Sequence, residues 1–259
     1  ETEYPIFLDK KEKIKVQGNA NNLDHLNIEG NIYNEEFSAF QATLQGPGIP
    51  SEKMLEAKAE EFIRQHNNSF VSIYLLDKYF VQKETPDFKK IKELIDVMAG
   101  VLQDKPSIGQ LTENITQIEK VNEGKTAPFF SLPNQKGEKV TRLDKFKDKY
   151  MLINFWASWC EECDSTNVEL RKINNKYKKN KEFGILGISL DINKEDWKNK
   201  IKQDTLTWEQ VCTFTGWNLE TAKQYAILKL PTNILVSPGG RILARDIPTD
   251  SLSHAIEKV

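Results

Sequence analysis

Cysteine is scarce in this chain, three in 259 residues, too few for the disulfide scaffold by which small secreted domains replace a core. A surplus of one charge is also missing: 36 basic residues face 38 acidic ones, a net charge of -2. No strong field therefore points to nucleic acid or to an anionic membrane as the main partner. No run of about 18 apolar residues occurs, which excludes a transmembrane helix, and residues 1 to 30 contain no stretch resembling a secretion signal. The start at Glu1, without a methionine, favours a chain from which a signal or lipid anchor has been removed. No G-x-G-x-x-G fingerprint is present, so no nucleotide cofactor is expected. Internal repeats and low-complexity tracts are absent too. His25, His66, His254 and Cys212 show no companion spacing that would complete a four-ligand zinc site.

What is present falls into two parts. Hydrophobic residues make up 39% of the chain, enough to give each of two domains a core. Ile6-Phe7-Leu8, Ile14-Lys15-Val16 and Leu26-Asn27-Ile28 read as short strands between turn residues, a β remnant over residues 1–32. Apolar residues then recur at helical spacing. A first helix carries Phe37, Phe40 and Leu44 and is stopped by Gly46-Pro47-Gly48. A second is capped by Ser51, and a third runs from Phe70 to Phe80. A fourth follows the Thr85-Pro86 start signal up to Gly100, and a fifth opens at Ser107. Residues 33–122 are thus an all-helical segment, with Asn122-Glu123-Gly124-Lys125 as the joint. Beyond it, over residues 123–259, a hairpin, the strand 151–156, a helix from Cys160 to about Asn180 and further alternating strands and helices predict an α/β sandwich with a mixed sheet.

The chemistry lies in Trp159-Cys160-Glu161-Glu162-Cys163, directly behind the apolar run Met151 to Trp156. Two cysteines separated by two residues at a strand-to-helix junction can close a disulfide ring and reopen it. Cys160, where the helix begins, has its thiolate favoured by free amides and by the helix dipole, and is the expected nucleophile. Cys163, one turn inside, is the resolving thiol. Glu161 and Glu162 oppose this by repelling the thiolate, which predicts a reducing couple and reductant or isomerase behaviour. Cys212, in an apolar strand, reads as a buried free thiol.

Phe155-Trp156-Ala157-Ser158-Trp159-Cys160 followed by Cys163, with Leu230-Pro231-Thr232 far downstream, resembles the thioredoxin superfamily over roughly residues 126 to 259. Ala127-Pro128-Phe129, Asn154 at a position where cytosolic thioredoxins carry a buried Asp, and the element around Trp208 to Trp217 are most similar to its TlpA/ResA-like exported thiol-disulfide oxidoreductases. The front portion is similar to the β-plus-helical domain of Bacteroidetes-type members. The resemblance implies a cis Pro231 facing the pair, and a docking surface of Trp159, Trp156, Leu230 and Pro231 for protein disulfide substrates. It also implies an upstream membrane thiol donor, a periplasmic or cell-envelope location, and no cofactor beyond the Cys160–Cys163 couple. Thr166 stands where many relatives have a proton-transferring Glu, which leaves Glu162 as the candidate relay if it is partly buried. Two alternatives stay open: a thiol peroxidase of the peroxiredoxin, AhpC/TSA-like type, and an envelope binding or scaffold protein whose helical segment does the work.

Overall fold

The computed structural model describes residues 4–8, 12–19, 22–45, 49–83 and 86–258. The chain forms two compact units, Glu1–Ile115 and Thr116–Val259. In the first, an antiparallel pair, β1 (Lys15–Asn19) and β2 (Asn22–Glu29), precedes the helices α1 (Ile32–Ala42), α2 (Glu52–Gln65), α3 (Phe70–Leu76), α4 (Phe88–Val97), α5 (Gly100–Gln103) and α6 (Pro106–Lys120). The division between the units falls inside α6, upstream of the turn at 122–125. Four of these helices begin where a side chain takes up an amide that has no partner in the first turn, α3 through Ser69, which accepts from the Val71 amide at 3.2 Å. Asn31 accepts from the Tyr33 amide at 2.7 Å, Ser51 from Met54 at 3.2 Å and Asp87 from Lys90 at 3.0 Å. Phe37, Phe40, Ile63, Leu75, Ile91 and Leu94 meet in the core that holds the unit together.

The first unit departs from expectation in three places. Ile6 to Leu8 is not a strand; the Phe7 backbone pairs instead with the Asn34 carboxamide, donating and accepting at 2.9 Å each way, so a side chain does the work of a neighbouring strand. The helix expected over 70–80 stops being α-helical at Leu76 and widens into a π turn, Asp77–Val81, a phase change that leaves Phe80 buried. The fourth helix is capped by Asp87; Thr85 of the expected Thr85-Pro86 start signal, like Gly46-Pro47-Gly48, lies outside the described residues.

The second unit contains, in order, β3 (Leu132–Pro133), β4 (Lys139–Val140), α7 (Arg142–Lys145), β5 (Tyr150–Trp156), α8 (Glu162–Tyr177), β6 (Phe183–Ser189), α9 (Lys194–Gln203), β7 (Glu209–Cys212), α10 (Glu220–Gln224), β8 (Thr232–Val236), β9 (Ile242–Arg245) and α11 (Leu252–Glu257). Five strands make one mixed sheet in the order β7-β6-β5-β8-β9. β6 runs parallel to β5 and β7, and β8 runs antiparallel to β5 and β9. Central β5 is buried from Met151 to Trp156 on both faces, which is why its sequence is continuously apolar where a half-exposed strand would alternate. The smaller β3–β4 hairpin turns at Asn134, whose side-chain oxygen accepts from the Lys136 and Glu138 amides at 2.9 and 3.0 Å.

Strand register decides where chemistry can occur. Phe155 faces Thr232, Trp156 faces Ser189, and Ser189 faces Cys212. The loops after β5, β6 and β7 and the loop before β8 therefore emerge at the same end of the sheet, the carboxyl end of its parallel strands.

Candidate active site

At that end, Cys160 and Cys163 are joined by a disulfide, with the sulfurs 2.04 Å and the Cα atoms 5.3 Å apart. α8 begins at Glu162 and its N-terminus has no side-chain cap; Cys160 lies in the turn just before it. The Cys163 amide donates to the Cys160 sulfur at 3.2 Å, so this sulfur occupies the place a capping oxygen usually takes. An amide aimed at a sulfur, at the positive end of a 16-residue helix, favours the thiolate once the bond is reduced. Cys160 retains 3% of its exposure and Cys163 none. Beside them Trp159 is 53% exposed, and the Leu230–Pro231 peptide bond is cis. Both residues of that bond are half-buried, and Pro231 immediately precedes Thr232, the partner of Phe155 at the end of β5.

Two expected site residues are placed otherwise. Trp156 is only 1% exposed and its indole N–H donates to Gln210 at 3.0 Å. It is a core residue of β5 and takes no part in a docking surface, because both faces of that strand are covered. Glu162 is exposed on the first turn of α8, so it lacks the partial burial that a proton relay to Cys163 was expected to need. Thr166 is buried, and its hydroxyl lies 3.1 Å from that of Thr249. Asn154 is buried with both side-chain polar atoms unpartnered among the described residues.

Cys212 is buried, receives the Phe214 amide at 3.3 Å and lies 3.6 Å from the Asp191 carbonyl oxygen. Burial pushes its thiol above the ordinary range. Reading the sequence missed Asp191 itself. This carboxylate, 1% exposed, accepts from the Ser158 amide at 3.1 Å with each oxygen, from the Ser158 hydroxyl, and from the Ser189 hydroxyl at 2.6 Å. The available signal was an acidic residue two positions beyond a polar strand end, Ser189-Leu190-Asp191. Among the described residues no group of three or more His, Cys, Asp or Glu is arranged to hold a metal ion. Among them, too, no helix is long and apolar enough to cross a membrane.

A mixed five-stranded sheet with a two-residue-spaced disulfide at a helix N-terminus and a cis-proline loop alongside defines a thioredoxin-like dithiol protein. Comparison with known proteins agrees. Residues 124–245 match the AhpC/TSA family. The thiol-disulfide oxidoreductase ResA of Bacillus thuringiensis is 35% identical over 145 residues, covering 55% of this chain and 79% of ResA. That of Bacillus cereus is 35% identical over 142 residues, covering 54% and 78%. A solved thiol-disulfide oxidoreductase from Bacteroides fragilis is 58% identical, with a TM-score of 0.50, covering 52% of this chain and 98% of that one. The chain belongs to the ResA-like thiol-disulfide oxidoreductases, and its function is thiol-disulfide exchange.

Proposed function

We propose that Cys160 attacks and Cys163 resolves, and that the protein reduces or isomerises disulfides of periplasmic or cell-envelope proteins. One observation carries the assignment of roles: the Cys163 amide points at the Cys160 sulfur, which stabilises negative charge on that sulfur and not on the fully buried one. The reduced protein acts in two steps. The Cys160 thiolate forms a bond to one substrate sulfur and the other leaves as thiolate; Cys163, losing its proton, then attacks Cys160 and expels the second substrate thiolate. Two electrons pass to the substrate, which ends as two thiols, and the protein ends as the disulfide seen here. Exposed Trp159, next to Cys160 in sequence, and the Leu230–Pro231 loop at the same end of the sheet supply the surface on which a substrate chain rests. A membrane thiol donor returns the pair to the dithiol. The envelope location rests on the similarity to exported TlpA/ResA-like proteins.

The test is reduction of a protein disulfide such as that of insulin. Cys160→Ser is expected to abolish turnover, and Cys163→Ser to accumulate a mixed disulfide through Cys160. A mixed disulfide trapped instead by Cys160→Ser would reverse the roles. A reduction potential near about -270 mV would mark a reductant and one near about -120 mV an oxidant.

A further inference from the structure

Asp191 stands at the start of the loop after β6, and its carboxylate is committed to the neighbouring loop. Both oxygens accept from the Ser158 amide, and the hydroxyls of Ser158 and Ser189 complete the set. The Asp191 amide in turn donates to the Ser189 hydroxyl at 2.9 Å, which closes the network on the strand end. Ser158 lies two residues before Cys160, and the Cys160 amide donates to Ala157 at 3.2 Å, so the clamped segment is the turn that carries the nucleophile. Among the described residues no lysine or arginine pairs with Asp191. Glu161, Glu162 and Asp164, the carboxylates adjoining the cysteines in sequence, are exposed, and solvent screens them. Asp191 is 1% exposed and keeps its field inside the protein.

We infer that Asp191 is a positioning residue that fixes the 157–160 turn and whose buried charge, by opposing a thiolate at Cys160, keeps the couple reducing. A destabilised thiolate weakens the reduced form and favours the disulfide, the reverse of the arrangement found in strong oxidants. The Ser158 hydroxyl offsets part of that charge. The two side chains therefore act on the couple with opposite signs, which a purely structural clamp would not do.

The inference rests on Cys160 being the attacking sulfur, and the experiment separates the two ideas. The full chain is equilibrated with reduced and oxidised glutathione, and the 160/163 dithiol and disulfide are quantified. Melting curves are recorded alongside to confirm that each variant is folded. Asp191→Asn, which keeps shape and one acceptor, is expected to shift the equilibrium roughly tenfold toward the dithiol, equivalent to about 30 mV for a two-electron couple. Ser158→Ala is expected to shift it about twofold toward the disulfide. A folded Asp191→Asn protein whose equilibrium stays at the wild-type value overturns the inference. If that variant does not fold, Ser158→Ala decides alone: a shift toward the disulfide supports the inference, and no shift or a shift toward the dithiol overturns it. A wild-type protein that fails to exchange through Cys160 would refute the assignment of roles instead.

Discussion

Arg245→Met should be the most damaging single substitution away from the sulfurs. The Arg245 side chain is 6% exposed. Its guanidinium donates to the Tyr225 carbonyl at 2.7 Å, to the Ala226 carbonyl at 2.8 Å and to the Asp246 carboxylate at 3.0 Å. Methionine fills much of the space and supplies no donor. A hydrogen bond to a charged group contributes about 1.5–3 kcal/mol, so the two carbonyls alone account for about 3–6 kcal/mol. Release of a guanidinium from burial returns part of this, while Asp246, 31% exposed, can turn to water. The net loss should be about 3 kcal/mol, or roughly 9 °C in the melting temperature of a unit this size. All five tryptophans lie in Thr116–Val259, so tryptophan fluorescence in urea reports that unit alone. A loss below about 1 kcal/mol at an unchanged slope would show that the guanidinium does not hold this segment. Because Tyr225 and Ala226 lead toward Leu230–Pro231, turnover of protein substrates should fall more than exchange with glutathione.

Three further expectations follow from the same geometry. Burial raises the Tyr225 hydroxyl pKa, and the hydrogen bond from Lys200 to Asp164 raises that of the ammonium. Both folded-state values exceed the unfolded ones, so their contributions are complete below about pH 10 and disappear as pH rises through the folded values. Urea midpoints should fall steeply on the alkaline side, less so in Tyr225→Phe, and a flat alkaline limb would contradict this. Asn154→Val should raise unfolding free energy by about 1 kcal/mol, because a buried carboxamide without partners among the described residues is replaced by an apolar strand former; a lower urea midpoint would reveal partners in solution. Glu162→Gln should leave the pH profile of insulin reduction where it is, since an exposed carboxylate is no relay, and a displaced profile would restore that role.

Much of the second unit was legible because its signals are local. The apolar run Met151 to Trp156, the cysteine spacing and the proline before Thr232 locate the central strand, the disulfide and the loop beside it, and strand–helix alternation predicts a mixed sheet. What escaped depends on contacts between distant segments. Ile6 to Leu8 has the composition of a strand, but whether it becomes one depends on what lies beside it, and here that is the Asn34 side chain. Trp156 and Trp159 look equivalent in sequence, yet one ends a strand buried on both faces and the other sits in the turn. With both faces covered, alternation gives no sign of which side is outside. Asp191 sits 33 positions from Ser158, and only the parallel pairing of β5 with β6 brings them together.

The near-complete enclosure of Cys160 limits which partners can react at all. Sulfur exchange needs the attacking atom, the attacked atom and the departing atom close to one line. A cystine lying flat in a rigid wall is expected to reach poorly a sulfur that keeps 3% of its exposure beside an exposed indole. One carried on a pliable, outstanding stretch of chain can be laid against it. If Cys160 attacks as proposed, selection by shape is expected to precede any difference in redox strength: cystines on slack or misfolded polypeptides should be reduced faster than well-packed ones in finished proteins.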